Sequence, residues 1–325
     1  MLRACIGFVA VTALATAGNL SDANLTLELR GKIAGGGRSR TLRVNLFGVE
    51  TPYAGSTEVN RAGEFEFRLL APGNYTVAVV KEGLGEIRRT VVVSPAVADK
   101  SGVVLATIPY TSAEAAANPT GGVVSVRQAS IPRNAAAKYA EAQKRLAAHD
   151  PDGAVRALEE AVSIASEFPA AWNALGVIAF QTGDIDRAVV LFRRSLQADS
   201  GAFEPLVNLG GALLKEGLAA EALSINQRAV HDRADDALAN AQLGMNYFKL
   251  DRFAEAEPYL LAATRLDRAH FSQPQLFLAD IYARRGNRSA AIRELEDLLE
   301  VRPDGPLSEG IRRNLAQLSA SASGP

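Results

Sequence analysis

Three histidines, His149, His231 and His270, are the residues of this chain best suited to hold a metal ion or move a proton near neutral pH. A hydrolytic zinc site needs two imidazoles, a carboxylate ligand and a general base, with histidine and glutamate commonly three apart. Three places after these histidines stand Asp152, Ala234 and Gln273. Only His149 therefore has a carboxylate at that spacing, on a predicted turn with no second histidine close in sequence, and all three read as exposed turn or helix-end residues. The single cysteine, Cys5, lies near the N-terminus. There is no G-x-S-x-G elbow to carry a nucleophilic serine. Gly35-Gly36-Gly37 lacks the Gly-Lys-Ser/Thr order that cradles phosphates and reads as a hairpin loop. Asn24-Leu25-Thr26, Asn74-Tyr75-Thr76 and Asn287-Arg288-Ser289 match the glycosylation triplet, which matters only in a eukaryotic secretory host. The expectation is a chain that is not an enzyme, with no catalytic residues, no metal and no cofactor.

What the elements can do instead starts from composition. A chain of 325 residues allows two domains, and 48% hydrophobic with only 6% aromatic content suits alanine-rich helices better than one large aromatic core. The net charge is −1, with 12 basic against 10 acidic residues over 18–132 and 22 against 26 over 133–325. Neither half attracts nucleic acid or anionic lipid as a whole, so partner choice rests on a local surface and no nucleic-acid partner is expected.

Residues 1–17 read as an export signal. Arg3 supplies the positive start, Ala4 to Ala15 the apolar run and Ala15-Thr16-Ala17 a small-residue cleavage pattern. That run is too short to span a bilayer. An exported, periplasmic or extracellular protein is expected, without a stable membrane span once the signal is cleaved; an uncleaved N-terminal anchor is the alternative. Cys5 falls inside the run, so cleavage would leave no thiol and no disulfide.

Over 18–108 the apolar residues alternate: Leu25, Leu27 and Leu29; Leu42, Val44 and Leu46; Phe65, Phe67 and Leu69; Tyr75, Val77 and Val79; then runs at Ile87 to Val93 and Val103 to Thr107. Alternation puts one face on a core and one in water. With turn residues between the runs and no helix, six or seven short strands predict a small antiparallel β-sandwich. The stretch Gly63-Glu64-Phe65-Glu66-Phe67, followed by Leu70-Ala71-Pro72-Gly73-Asn74-Tyr75, resembles the G-x-F-x-F and L-x-P-G-x-Y core of carboxypeptidase regulatory-like domains, and that resemblance implies a transthyretin-like sandwich.

Residues 109–132 read as a linker, in which Pro109, Pro119, Pro132 and Gly121-Gly122 break any helix and Val123 to Val126 could form one more strand. Beyond it a fixed step of 34 residues takes over. Leu175-Gly176 returns as Leu209-Gly210 and Leu243-Gly244; Ala154, Ala188, Ala222 and Ala256 keep the same step; Gly183, Gly217 and Gly286 recur as breakers, with His149 and Asp251 in the same slot. With Trp172 two places ahead of Ala174-Leu175-Gly176 and Phe192 after Ala188, residues 133–325 resemble the tetratricopeptide repeat (TPR) family. The resemblance implies an all-α solenoid of about five two-helix hairpins, 134–168, 169–202, 203–236, 237–271 and 272–303, closed by a polar-backed helix from Pro306 to Leu318. The alanines are expected to face Gly176, Gly210 and Gly244 and admit a close approach. Lys138 and Glu141 in the first unit, and Asn226 in the third, depart from the apolar pattern.

In such a solenoid the first helix of each hairpin lines a concave face. The candidate partner-binding groove is Asn173, Val177, Phe180, Val207, Leu214, Lys215, Met245, Phe248, Lys249 and Arg284. Its apolar members suit a partner helix or extended segment, and its basic edge favours an acidic one. The Lys and Asn set of a peptide-carboxylate clamp is absent, since Val177, Val207, Gly211 and Met245 stand in or near those places. The function expected is a non-enzymatic scaffold that binds a protein or peptide through the concave face. The alternatives are a cell-envelope or polysaccharide-binding protein that uses Phe47, Tyr53 and Tyr110 of the sandwich, or an accessory subunit of an extracellular hydrolase.

Overall fold

A computed structural model describes residues 26–35, 42–117, 131–303 and 307–320. The export signal at 1–17, the triplet at Asn24, most of the Gly35–Gly37 loop, the Val123–Val126 segment and residues 321–325 lie outside the described residues.

Among those described, seven strands come first: β1 (Leu27–Ala34), β2 (Leu42–Gly48), β3 (Ala54–Glu58), β4 (Glu64–Leu70), β5 (Gly73–Lys81), β6 (Gly85–Val93) and β7 (Val103–Pro109). They form two sheets, one ordered β4-β1-β7 and the other β3-β2-β5-β6. Leu27, Leu29, Val44, Leu46, Phe65, Phe67, Tyr75, Val77, Val79 and Ile87 meet in one core between them. Alternation places these residues inward, because successive side chains of a strand point to opposite faces. Within this sandwich the β1–β7 pair is parallel and the other pairs antiparallel.

The sequence reading misses at three points. Strand β3, Ala-Gly-Ser-Thr-Glu, has no apolar alternation to announce it and forms by pairing with β2 from Arg43↔Glu58 to Phe47↔Ala54. On β4 the inward residue after Phe67 is Leu70, fully buried, and not Leu69, which is 64% exposed with φ of 58°. The pairing jumps from Leu29↔Phe67 to Leu27↔Leu70, so an extra residue bulges out and turns the alternation over. The connection also holds a short helix, α1 (Ser112–Ala117), fitted between Pro109 and Pro119; it packs beside β6, where Arg89 Nη2 donates to Glu114 Oε1 at 2.5 Å.

The helical part pairs α2 (Arg133–Ala147) with α3 (Pro151–Ile164), α4 (Pro169–Gln181) with α5 (Ile185–Ala198), α6 (Phe203–Lys215) with α7 (Ala219–Asp232), α8 (Ala237–Lys249) with α9 (Phe253–Leu266) and α10 (Pro274–Arg284) with α11 (Arg288–Val301); α12 (Ser308–Ala320) follows. Each second helix needs a sharp entry. Asp150, Asp184 and Asn287 cap three of them by accepting from Gly153 N, Arg187 N and Ala290 N at 2.8, 3.2 and 3.2 Å. The turn before each requires a left-handed residue. Gly183, Gly217 and Gly286 supply φ of 87°, 82° and 74°, while His149 and Asp251 adopt 56° and 58° in the same slot.

Packing within a hairpin corrects one expectation. The space opposite the recurring glycine is filled by the large residue of the second helix and not by the alanine: a Cβ on Gly176 would stand 2.6 Å from Phe192 Cδ1, and one on Gly244 2.6 Å from Leu260 Cγ and 3.0 Å from Leu260 N. In the third hairpin that place belongs to Asn226, which is fully buried and gives its Nδ2 to Asn246 Oδ1 at 3.0 Å, while Asn246 Nδ2 reaches Ala219 O at 2.7 Å. A polar chain thus replaces an apolar knob. In the first unit Lys138 pairs with Glu160 at 2.6 Å and with Glu141 at 3.3 Å in the place of apolar packing. At the far end Ile311 is buried, with Leu307, Leu315 and Leu318 packed on the cluster of α10 and α11.

These contacts separate two kinds of helical glycine. Gly244→Ala gains helix propensity but drives a methyl into Leu260 and its backbone, so a net loss of about 1–3 kcal/mol is expected. Gly310, in α12, has nothing within 4 Å of its Cβ position, so Gly310→Ala is expected to add up to about 1 kcal/mol. Denaturant unfolding of the two variants beside the parent checks the opposite signs.

Candidate partner-binding groove

The predicted groove residues fall into two groups. Val207 and Leu214 are 3% and 5% exposed, Val207 in the cluster of α6 to α8 and Leu214 in that of α2 to α7, so neither is available as an anchor. Phe248 is part-buried between hairpins, with ring centroids 5.3 Å from Phe253 and 5.1 Å from Phe277. Val177, Phe180 and Met245 are part-buried against the first cluster, and Asn173 Oδ1 accepts from Asn208 Nδ2 at 3.0 Å.

The basic residues stand together at the C-terminal ends of successive first helices. Lys215 closes α6, Lys249 closes α8 and Arg284 closes α10, and all three are exposed. Lys215 Nζ lies 5.1 Å from the Phe180 ring centroid, and the Arg284 guanidinium lies 5.1 Å from that of Phe253 and 6.0 Å from that of Phe248. Arg284 also pairs with Asp280 at 3.0 Å. Lys215 and Arg284 thus stand over aromatic faces, with Lys249 exposed between them in the row.

The rest of the first-helix side is held by the chain's own sandwich. Strand β3 packs on α2, and Tyr53 lies with its ring 5.2 Å from that of His149. Gln181, at the end of α4, donates Nε2 to Gly48 O at 2.8 Å. From α6 onward the contacts move to the start of α6 and to Asp267 and Arg302, which close the second helices α9 and α11. Arg88 Nη2 donates to Glu204 Oε1 at 2.7 Å; Thr90 N and Oγ1 donate to Asp267 Oδ2 at 2.9 and 2.7 Å; Arg302 Nη1 donates to Asn74 Oδ1 at 2.8 Å. Ala78, on the face of β5 opposite the core, is completely covered. None of these residues was in the predicted groove. The unbroken run Val77 to Val80 was the available signal, since an apolar stretch of strand without alternation is buried on both faces.

The seam is dominated by charge. Arg88 pairs with Glu86 at 2.6 Å and with Glu204, and Arg233 lies 3.8 and 3.6 Å from the same two carboxylates, its guanidinium 4.0 Å over the Phe203 ring. Burial alone would raise the Glu204 carboxyl and lower the Arg88 guanidinium, but the opposite charges outweigh it and both ionised forms are favoured. Burial dominates at Glu86, whose carboxyl is pushed up. A cavity of about 20 Å³ remains beside them, lined by Glu86, Arg88, Arg89, Glu114, Arg233 and Asp236.

The histidines keep separate neighbourhoods. His149 faces Tyr53, and His231 is exposed near the end of α7. His270 corrects the expectation of exposure: it is 4% exposed, stacked on Phe271 at 4.4 Å, with Nδ1 2.7 Å from Ser272 Oγ. Among the described residues no group of three or more His, Cys, Asp or Glu could hold a metal ion, and no helix is long and apolar enough to cross a membrane. Of the three aromatic residues considered for a sugar platform, Tyr53 and Tyr110 are buried and Phe47 is exposed.

Models of the tetratricopeptide repeat match residues 139–203, 179–244 and 237–270. No curated protein sequence matches the chain. Among solved structures, pilF of Pseudomonas aeruginosa is 21% identical over 60% of this chain and 87% of its own, with a TM-score of 0.51. MamA 41-end from Desulfovibrio magneticus RS-1 is 21% identical over 55% and 99%, TM-score 0.49. YrrB, described as a TPR protein with an unusual peptide-binding site, is 22% identical over 58% and 99%, TM-score 0.47. The repeat matches and the pilF likeness give a TPR fold to the helical part, the fold of protein-interaction scaffolds.

Burial lowers the pKa of His270, which fixes a pH dependence. Above about 6.5 both folded and unfolded imidazoles are neutral. Below it the unfolded chain takes up the proton and the folded one does not, so stability is lost as pH falls toward the lowered value, by up to about 1.4 kcal/mol per pH unit. His270→Gln is expected to lose less stability than the parent between pH 7.5 and 5.5 in denaturant titrations.

Proposed function

We propose that this chain is an exported, non-enzymatic scaffold that binds an acidic segment of another protein along the ledge formed by Lys215, Lys249 and Arg284. The observation that carries this reading is the recurrence of an exposed cation at the end of three successive first helices, α6, α8 and α10, beside the part-buried rings of Phe180 and Phe248. A segment laid across the hairpins would place its carboxylates against the cations and an apolar side chain against a ring.

The division of the first-helix side agrees with this. The sandwich bonds to α4 through Gln181, but from α6 onward it bonds at the start of α6, through Glu204, and at the end of α9, through Asp267. The cation row is not part of the contacts that hold the sandwich. Export rests on the Arg3-led apolar run and small-residue pattern of residues 1–17. Kinship of the sandwich with carboxypeptidase regulatory-like domains rests on the stretch from Gly63 to Tyr75.

Crosslinking of the protein in its native cell, followed by identification of captured chains, tests the ledge. Lys215→Glu with Lys249→Glu is expected to cut capture of the major partner at least tenfold while helicity and the unfolding midpoint stay within error, because both side chains are exposed. Undiminished capture would overturn the ledge. Recovery of the protein with the cytoplasmic fraction would overturn export and leave the ledge standing.

A further inference from the structure

The solenoid side of the seam is an acidic rim. Glu204 stands at the start of α6, Asp236 caps the start of α8 and Asp267 closes α9, so carboxylates gather on the edge where second helices end and first helices begin. Glu204 and Asp267 meet one strand, and Asp236 lines the cavity beside it. On β6 the residues facing away from the sandwich core are Glu86, Arg88 and Thr90; Arg88 reaches Glu204, and Thr90 offers both its backbone N–H and its hydroxyl to Asp267. The strand is read as an extended backbone with a basic side chain at one place and a hydrogen-bond donor two residues on, which is the spacing of one face of a strand.

We infer that the acidic rim of Glu204, Asp236 and Asp267 is a second recognition surface, specific for extended segments that carry a basic residue, and that β6 of the chain's own sandwich is its built-in, displaceable occupant. This goes beyond the cation ledge and does not depend on it: the ledge closes the first helices, the acidic rim lies where second helices end and first helices begin, and the two select opposite charges.

Displaceability follows from what the seam is made of. The polar contacts across it include Arg88 to Glu204, Arg233 to Glu86, Thr90 to Asp267, Arg302 to Asn74 and Gln181 to Gly48. Beside β6 the sandwich turns Ala78 to the solenoid, and further along, toward α2, Ala54 and the Tyr53 ring, the latter against His149. Where β6 lies, the seam is made of charged and polar hydrogen bonds, which gives it the character of a transient contact between domains and not of a core. Such bonds exchange readily for those of a competitor of the same chemistry, because each carboxylate stays paired throughout.

The test uses the full chain and a fluorescein-labelled peptide of residues 85–93, the nine residues of β6. Arg88→Glu places a carboxylate against Glu86 and Glu204 and is expected to release the sandwich while leaving the rim intact. The variant should bind the peptide at least tenfold more tightly than the parent, and a peptide carrying the same Arg88→Glu change should not bind. Hydrogen exchange separates release from unfolding: the Thr90 amide should exchange at least tenfold faster in the variant, with the Val77 and Val79 amides inside β5 unchanged. Equal peptide affinity for parent and variant would overturn the inference. So would loss of protection at Val77 and Val79 together with Thr90, since the sandwich and rim would then be one cooperative unit.

Discussion

Everything in this molecule depends on a helical hairpin that is apolar on two sides. A hairpin such as α4–α5 has Leu175, Ile178, Ala188 and Phe192 buried, and it can hide them only with a further hairpin on either flank. Stacking is therefore compulsory, and it leaves the first helices side by side along one surface. That surface has two ends, because every first helix enters from one edge and leaves at the other. Glu204 and Asp236 stand on the entry edge, and Lys215, Lys249 and Arg284 on the exit edge, as the helix dipole favours; Asp267, at the C-terminal end of α9, stands against that preference.

The sandwich obeys a related constraint. A sheet with the residues of both faces of β5 out of water needs a cover on each side. The three-stranded sheet covers one side of β5. The solenoid covers the other, where Ala78 is sealed and Arg88 sits among Glu86, Glu204 and Arg233. Ionised pairs at such a seam add little net stability, because desolvation offsets much of their attraction. They fix instead which strand lies over which helix end. The bland sequence between β6 and the repeats hides this, since the partners are separated by more than a hundred residues: Arg88 and Glu204 are 116 apart and Thr90 and Asp267 are 177 apart.

The repeat was legible because one geometric demand recurs at a fixed step. The small residue at Gly176 and Gly244, the left-handed turn at Gly183 and Gly217, and even the substitution of His149 in that turn can all be read from residue type. The sandwich was legible where alternation was strict and failed where it broke. Leu69 reads as core by period two, but the bulge puts Leu70 inside. Strand β3 has no apolar signature, and pairing with β2 alone makes it a strand. In the candidate site the exposed Lys215 and Lys249 could be placed by counting along the repeat. Val207 and Leu214 could not be told from groove residues, because position along a helix does not reveal how closely the next hairpin approaches. The acidic rim was missed altogether, because isolated aspartates and glutamates at helix ends read as caps, and their second role appears only when the sandwich is seated on them.

The two domains form one body, with the β3-β2-β5-β6 sheet resting on the solenoid through charged contacts that salt weakens. Small-angle scattering from the full chain at low salt and at about 1 M salt measures this most directly. The account predicts a single-peaked distance distribution at low salt and a broader one, with a larger radius of gyration, at high salt. Two separated lobes at low salt, or a compact particle indifferent to salt, would contradict it.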